Sequence, residues 1–396
     1  MRLAAPDNAA SGPDSQMPAL TGLRGLAALM VAILHLWHFA GQPSWRIGVF
    51  DFSPIAICGY FGVDLFFVLS GFLLGLPFVR ARMRALPRPS LREFWRRRAR
   101  RVLPALWTQL AILFAIGWIM TGTAPASAFE LLAQATLSFN LFDGIATLNP
   151  VYWSLPIEWD FYVALPLLAL LFSRGSGRPW GLPGVLLLVL IVRLGCVWAV
   201  QAWGWDGLPY ARWIVQLPSR LDQFVFGMTA AWLVLRQGSR SGAGMAWAGV
   251  AIIAAMMWTT APLGDVMAEL QEPRVYWHYT VIGAGFALLI AGAARGAGPG
   301  LRTLLESSPL GFLGRISYSL YLWHYPVLEA LRATRLPQRI GMEGPLAWWL
   351  LAGSAMLAVS WLSYRFVERP FLAAPRAEVS DPRSGTPVVS SPPPHS

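Results

Sequence analysis

Residues Ala19 to Gly41 read ALTGLRGLAALMVAILHLWHFAG. About 20 apolar residues cover the roughly 30 Å of hydrocarbon in a bilayer, so this stretch predicts a membrane-spanning helix. Arg24 and His35 interrupt it. At about 100° per residue they lie on nearly the same helix face, and at about 1.5 Å per residue they lie roughly 16 Å apart along the axis. Because a cation and an imidazole are costly in lipid, we expect both to face protein or a water-filled cavity. The alternative is that Arg24 extends to the headgroups and His35 is a packing residue.

The composition around this stretch is that of a polytopic membrane protein. The 396 residues are 56% hydrophobic and 13% charged, with a mean hydropathy of +0.50. The net charge of +11 comes from arginine alone, and the arginines are concentrated between apolar stretches, which does not indicate nucleic-acid binding. Two cysteines and five scattered histidines match no disulfide framework and no metal-ligand spacing, so we expect no metal site.

Apolar stretches of about 20 residues recur along the chain and predict an all-α membrane protein, a bundle of about ten transmembrane helices. A weakly amphipathic segment at 127–142 is read as a surface helix or a re-entrant piece. No internal repeat is visible, which counts against an inverted-repeat transporter. The candidate spans are 20–40, 60–79, 103–121, 152–172, 181–201, 217–235, 244–262, 276–294, 311–333 and 345–365.

The placement of arginine predicts the orientation. The loop after the second span holds ten arginines against a single acid, Glu93, whereas the next loop, 122–151, holds none. The positive-inside rule therefore puts both termini in the cytoplasm. The use of arginine without lysine indicates a GC-rich bacterial genome, so we expect the chain in a bacterial inner membrane. The last outer loop is an exception, because it carries an arginine cluster that indicates an anionic acceptor or a lipid headgroup: Arg332, Arg335 and Arg339. Residues 1–18 and 373–396 are expected to be disordered cytoplasmic tails around a transmembrane domain at 19–372.

Depth follows from this orientation. His35, Asp64 and Glu158 each lie a few residues from the outer end of a span, so we expect them roughly 6–9 Å below the outer surface of the hydrocarbon core. Ionisable groups inside a membrane are functional-site candidates by default. Arg24, Arg98 and Arg101 collect near the inner surface instead. The pattern predicts two poles, a cationic inner one and an outer one of imidazole and carboxylate.

Other polar residues inside the spans are candidates for lining a cavity between these poles. They are expected on spans four, six and nine, although an interfacial aromatic belt and structural pairing of Arg220 with Asp222 are the alternatives. The predicted cavity-lining residues are Trp153, Ser154, Tyr162, Arg220, Asp222, Tyr318, Tyr321 and His324.

Six motifs in this order give the chain a clear resemblance to the acyltransferase-3 family of integral membrane acyltransferases. The resemblance covers about residues 18–372, and from the short tail we expect the form of the family without a soluble esterase-like domain after the last span. The motifs are the Arg24–His35 spacing, FGVDLFFVLSGF at 61–72, RARRVLP at 98–104, WSLPIEWDFY at 153–162, SYSLYLWH at 317–324 and VERPF at 367–371.

The resemblance implies an acyl-CoA donor, with acetyl as the common acyl group, and a hydroxyl acceptor on a glycan or a small molecule. Arg24, Arg98 and Arg101 are then expected to hold the anionic donor, because arginine forks suit phosphates. His35 is the expected general base, oriented by Glu158 or Asp64. We expect no bound cofactor beyond the acyl-CoA cosubstrate.

Several readings stay open. Transfer is either direct or through an acyl-enzyme on a serine, and the oligomeric state is not indicated by the sequence. A small-solute transporter and a structural membrane protein are the rival classes, and both would contact membrane lipids in the same way.

Overall fold

The computed structural model describes residues 17–47, 50–203, 213–236, 242–260, 276–335, 339 and 344–372. Its regular structure is helical, apart from a two-residue antiparallel pair formed by Arg46–Ile47 (β1) and Phe50–Asp51 (β2). Residues 1–16 and 373–396, which carry most of the two predicted tails, lie outside the described residues.

The helices of the described residues follow in chain order. The first eight are α1 (Pro18–Phe39), α2 (Ser53–Ile57), α3 (Phe61–Met83), α4 (Leu91–Thr121), α5 (Ala128–Ala135), α6 (Ser154–Leu168), α7 (Leu182–Trp203) and α8 (Leu217–Arg236). The remaining ones are α9 (Ala243–Thr260), α10 (His278–Ala294), α11 (Pro299–Leu305), α12 (Ser308–Arg315), α13 (Ser317–Thr334), α14 (Pro345–Ser363) and α15 (Arg369–Leu372). Short 3₁₀ turns precede α3 and α6, and a π-helical turn, Tyr364–Glu368, joins α14 to α15.

Seven stretches in the described residues are long and apolar enough to cross a membrane: Pro18–Phe39, Ser53–Met83, Leu91–Thr121, Pro150–Leu171, Leu182–Ala199, Ala243–Thr260 and Leu346–Leu372. An eighth arises if α10 and α11, bent by 96° at their junction, form one span. The prediction of an all-helical, multi-pass membrane protein is confirmed, and length and apolarity support seven or eight of the ten spans. Two helices fall short, α8 and α13, because polar side chains such as Asp222 and His324 lower their hydropathy.

Glycines set how closely the central helices approach and therefore which residues share a level. A Cβ at Gly62 would lie 2.3 Å from the carbonyl oxygen of Ala27, and one at Gly59 would lie 2.3 Å from that of Met30. Only a residue without a side chain permits such backbone contact between α3 and α1. These two contacts show that the helices run antiparallel, so Asp64 lies level with about residue 25 of α1. Ten residues of helix, or about 15 Å, separate that level from His35.

The expectation that Asp64 shares the depth of His35 is thus wrong. The second span begins at Ser53 rather than near residue 60, because α2 and a 3₁₀ turn continue directly into α3. The extra residues at its start move Asp64 toward the middle of the span.

Candidate active site: a cationic cavity and a histidine pair

A cavity of about 410 Å³ opens among α1, α3, α4, α6 and α13. Its walls combine arginines at one end with aromatic and hydroxyl side chains at the other. The polar lining residues are Arg24, Ser70, Glu93, Arg97, Arg98, Arg100, Arg101, Ser154, Glu158, Tyr162, Ser317, Tyr318 and Tyr321. We call the end of the bundle that carries Arg98 the arginine end, and the end that carries His35 the histidine end.

The beginning of α4 supplies the arginines. Ser90 caps this helix, since its side chain accepts a hydrogen bond from the Glu93 amide, and the arginine-rich sequence follows within the first turns. Glu93 pairs with Arg96 at 2.5 Å and with Arg97 at 3.1 Å. These pairs neutralise part of the positive charge at the beginning of the arginine-rich stretch. Arg98 and Arg101 share the helix face that lines the cavity, as the sequence predicted.

The guanidinium of Arg98 is incompletely satisfied. Its Nε is buried and has no hydrogen-bond partner among the described residues. A buried donor without a partner is uncommon in a protein interior, and one in a cavity wall points to a ligand or to water. The arginine end is therefore suited to an anion that enters the cavity.

Glu158 lies among these arginines rather than beside His35. Its carboxylate lines the cavity and accepts a hydrogen bond of 2.6 Å from Ser70 Oγ of α3. Ser70 is two helical turns further along α3 than Gly62, which packs on Ala27. Glu158 is thus far from the level of His35, and its expected outer depth is wrong.

Two tyrosines of α13 form the opposite wall. The Tyr318 hydroxyl donates to the carbonyl of Val102 at 2.9 Å, and the Tyr321 hydroxyl donates to the carbonyl of Val151 at 2.8 Å. Tyr321 also lies 2.6 Å from Ser154 Oγ, so α13, α4 and α6 are tied together at the cavity. These bonds confirm that polar groups of spans four and nine meet, since Ser154, Tyr162, Tyr318 and Tyr321 all line the cavity.

A pair of histidines lies beyond Tyr321. The ring of His324 is 5.9 Å from the ring of Tyr321, and its Nε2 is 3.2 Å from Nδ1 of His35. His324 is almost fully buried, and His35 is half-buried. The two residues are 289 positions apart in the chain and come from α1 and α13.

Backbone carbonyls assign the protons of this pair. Nδ1 of His324 lies 3.0 Å from the carbonyl oxygen of Leu320, and Nδ1 of His35 lies 3.0 Å from that of Val31. Because a carbonyl only accepts, each Nδ1 carries hydrogen in the neutral ring. The Nε2 of His324 then accepts from His35 Nδ1, and the Nε2 of His35 keeps its lone pair. The arrangement leaves His35 able to take up a proton on Nε2.

No carboxylate orients His35 in the described structure. Asp64 instead accepts hydrogen bonds of 2.8 Å from Arg220 Nη1 and from Gln223 Nε2. The imidazole of His324 occupies the place that the sequence analysis gave to Glu158 or Asp64. The difference arises because His324 projects from α13 at the level of His35, whereas both carboxylates lie toward the arginine end.

Arg220 and Asp222 do not line the cavity, contrary to expectation. Asp222 pairs with Arg193 at 3.0 Å, with both side chains fully buried, and Arg220 pairs with Asp64 at 2.8 Å. The Arg220 guanidinium also stacks 3.3 Å from the centroid of the Tyr279 ring. These contacts join α3, α7, α8 and α10 into one polar cluster, which we call the ion-pair network. Trp153 and His324 are likewise not among the cavity-lining residues.

The sequence analysis missed Glu368 as a site residue. This carboxylate is buried in the π-helical turn, contacts the Ser319 hydroxyl, and has an Oε2 without a hydrogen-bond partner in the described part of the chain. The positive charges of Arg101 and Arg24 interact electrostatically with the Glu368 carboxylate. π-helical turns often mark functional sites, but they cannot be read from hydropathy. The glutamate of the VERPF motif, a carboxylate inside an apolar span, was the sequence feature that could have identified Glu368.

Comparisons with known proteins indicate the family to which the chain is similar. The family model described as an acyltransferase domain, Acyl_transf_3, matches residues 17–365. The chain is 27% identical to the peptidoglycan O-acetyltransferase OatA of Listeria monocytogenes over 379 residues, which cover 89% of this chain and 55% of that protein. It is 26% identical to the O-acetyltransferase OatA of Staphylococcus aureus, covering 89% of this chain and 57% of that protein.

A third relative has a more similar length. The chain is 29% identical to the acyltransferase MdmB of Streptomyces mycarofaciens over 377 residues, covering 89% of this chain and 88% of that protein. The chain thus spans little more than half the length of the two OatA proteins. No solved structure matches it.

Proposed function

Because the chain belongs to the acyltransferase-3 family, we propose that it is a membrane O-acyltransferase that moves an acyl group from acyl-CoA to a hydroxyl of a cell-surface or lipid-linked glycan. The observation that carries the proposal is the arrangement of one cavity with arginines at one end and a histidine pair just beyond the other. The names of the two OatA relatives support acetyl as the acyl group, and the name of the Listeria protein supports a glycan as the acceptor.

The arginine end would bind the donor. Acyl-CoA carries its phosphates on the nucleotide and its thioester on a long, flexible arm. Arg98, Arg101 and Arg24 would hold the phosphates, since hydrogen bonds from guanidinium to phosphate are among the strong ones. The arm would then run along the cavity toward Tyr321. By helix rise the distance from Arg24 to His35 is about 16 Å, which is comparable with an extended pantetheine arm.

The histidine pair would supply the base. An acceptor hydroxyl loses its proton to Nε2 of His35 as its oxygen attacks the thioester carbonyl, and the CoA thiolate leaves. The positive charge that develops on His35 strengthens the bond from its Nδ1 to Nε2 of His324, because charged donors make stronger hydrogen bonds. His324 thus replaces the carboxylate of a serine-type triad as the group that orients the base.

This chemistry fixes an orientation for the proposal. The arginine end would face the cytoplasm, where acyl-CoA is found, and the histidine end would face outward in the inner membrane of a bacterium. The predicted positions of both termini agree with it, because α1 begins at the arginine end. The ten-span arrangement would hold if α8 and α13 cross the membrane inside the bundle, shielded from lipid by their neighbours.

Incubation of membranes containing the protein with radiolabelled acetyl-CoA tests the proposal. We expect label in a glycan or lipid-linked fraction and release of one CoA for each acetyl group transferred. Membranes with His35→Ala provide the matched background. Label in a small-molecule fraction alone would favour a secondary-metabolite acceptor. Solute flux without CoA release would replace the proposal with a transporter.

A further inference from the structure

A second cavity lies on the other side of the histidine pair. It is a depression of about 800 Å³ at the ends of α1 and α13, lined by Phe39, Tyr325, Glu329, Arg332, Ala333 and Arg335. Tyr321 lines the first cavity and Tyr325 lines the second. Four residues separate them on one helix, which is about 6 Å along its axis. Only one helical turn of α13 therefore divides the two spaces.

The histidine pair occupies this division. The ring of His324 lies 5.9 Å from Tyr321, and the ring of His35 lies 5.4 Å from Tyr325. Each histidine thus contacts a lining residue of a different cavity. Tyr325 is thus the lining residue of the depression that contacts His35.

A row of side chains leads from His35 to a cation. The Tyr325 ring is 5.3 Å from the ring of Phe39, and the guanidinium of Arg332 lies 5.7 Å from the centroid of Phe39. Tyr325, Glu329 and Arg332 recur at the spacing of one helix face. A molecule lying along this row meets an imidazole at one end, two aromatic rings in the middle and a guanidinium at the other end.

The net positive charge of this depression indicates an anionic ligand. Two exposed arginines, Arg332 and Arg335, stand here against one exposed carboxylate, Glu329. At an end of the bundle that faces outward, the positive-inside rule disfavours arginine, so topology does not explain the pair. Arginine forks bind carboxylates and phosphates in two-point contacts. Flat aromatic rings suit the apolar faces of sugars, and the carboxylate suits their hydroxyls.

We infer that this depression is the acceptor site, and that the acceptor is an acidic saccharide whose anionic group lies about one ring beyond the reacting hydroxyl. The inference rests on the proposed function and narrows its substrate class. The hydroxyl reaches Nε2 of His35 past Tyr325, the sugar lies on Tyr325 and Phe39, and the anionic group pairs with Arg332 and Arg335. A neutral acceptor would leave both guanidinium groups unused.

A pair of probes of nearly equal size that differ in charge tests the inference. The full chain in phosphatidylcholine nanodiscs is given acetyl-CoA and a disaccharide of glucuronic acid and N-acetylglucosamine, or the methyl ester of that disaccharide. We expect kcat/KM for acetyl transfer to be at least tenfold higher for the acid than for the ester. In Arg332→Gln/Arg335→Gln the ratio of the two kcat/KM values falls toward one, because the acid loses the ionic contact that favours it over the ester.

The control removes the same charge at the arginine end. Arg302→Gln/Arg315→Gln alters two exposed arginines of α11 and α12 and keeps the preference for the acid. Equal transfer to acid and ester by the wild-type protein overturns the inference and leaves the proposed function standing. A preference that survives in Arg332→Gln/Arg335→Gln overturns it as well.

Binding distinguishes the inference from the function on which it rests. Equilibrium dialysis of the radiolabelled acid probe measures occupancy without turnover. Binding that depends on Arg332 and Arg335, without transfer, supports the anion site and contradicts the proposed function. Absence of binding to the wild-type protein overturns the inference. If the occupant is a lipid headgroup instead, phosphatidylglycerol raises the melting temperature of the wild type but not of Arg332→Gln/Arg335→Gln. The acid probe then does not bind, and this result also overturns the inference.

Discussion

Two groups of charged side chains lie inside this helical bundle, and they differ in whether each buried guanidinium meets a carboxylate. In the ion-pair network, Arg193 meets Asp222 and Arg220 meets Asp64, each at 3.0 Å or less. In the cavity wall, Arg98 Nε and Ser317 Oγ are buried with no hydrogen-bond partner in the part of the chain that the structure describes.

The difference separates structure from chemistry. A buried charge that meets its counter-charge holds helices together and has little capacity left for a ligand. A polar group in a cavity wall that lacks a partner keeps that capacity, and its desolvation is offset when a substrate arrives. Both groups appear in the sequence as the same kind of interruption in an apolar span. Only their partners tell them apart, and the following predictions test this division.

The largest expected effect is on catalysis at the histidine pair. His35→Ala removes the base and should lower acetyl transfer about 10²–10⁴-fold, with donor binding and thermal unfolding close to those of the wild type. His38→Ala is the control, because it removes an exposed imidazole from the same helix. Initial rates with radiolabelled acetyl-CoA measure the effect. Turnover retained in His35→Ala would remove the histidine pair from the mechanism.

The next effect should be a loss of folding stability at the ion-pair network, with acetyl transfer by the folded protein unchanged. Asp222→Leu leaves the guanidinium of Arg193 buried without its counter-charge, which costs about 3–5 kcal/mol. Arg193→Met/Asp222→Leu removes both charges and should recover most of this loss, because an apolar pair of similar volume often replaces a buried ion pair. Thermal unfolding in detergent measures it. A double variant as unstable as the single one would contradict the expected compensation, and loss of acetyl transfer in a folded double variant would contradict the assignment of the network to structure alone.

A smaller effect on rate is expected at His324. His324→Phe removes the acceptor for His35 Nδ1 and should slow transfer about tenfold or more, since a hydrogen bond to a charged group contributes roughly 1.5–3 kcal/mol. His324→Gln keeps an acceptor at a similar reach and should retain more of the rate. The comparison of kcat between the two variants measures the orienting role. Equal losses would reduce His324 to a packing residue.

The smallest effect concerns the donor. Arg98→Gln and Arg101→Gln should each raise the KM for acetyl-CoA about tenfold with a smaller change in kcat, because a charge-assisted contact to phosphate is lost. Arg96→Gln is the control, since this exposed arginine pairs with Glu93 and does not itself line the cavity. An unchanged KM in both cavity variants would place the donor elsewhere.

Much of the arrangement could be predicted from local sequence. The face shared by Arg98 and Arg101 follows from their spacing of three, and the placement of Tyr318 and Tyr321 follows from α13 being one helix. Period and charge are local properties, so a single sequence carries them.

Three features could not be obtained in this way. The level of Asp64 depends on the turn at Cys58–Tyr60, which joins α2 to α3 without ending the span. The partner of His35 lies on another helix, and its position depends on how α1 packs against α13. The role of Asp222 depends on Arg193, which lies on α7 rather than in the cavity wall. Each of these is a tertiary relation that hydropathy and spacing do not encode.

The single turn between Tyr321 and Tyr325 also matters for the membrane as an electrical insulator. Where water fills both cavities, the low-dielectric layer at this point thins from roughly 30 Å to about 6 Å. Most of the transmembrane voltage then falls across the two imidazoles. A proton that enters from one face and leaves by the other would do work of about 2.3 kcal/mol per 100 mV. Turnover in an energised vesicle would therefore depend on the side to which the proton is released.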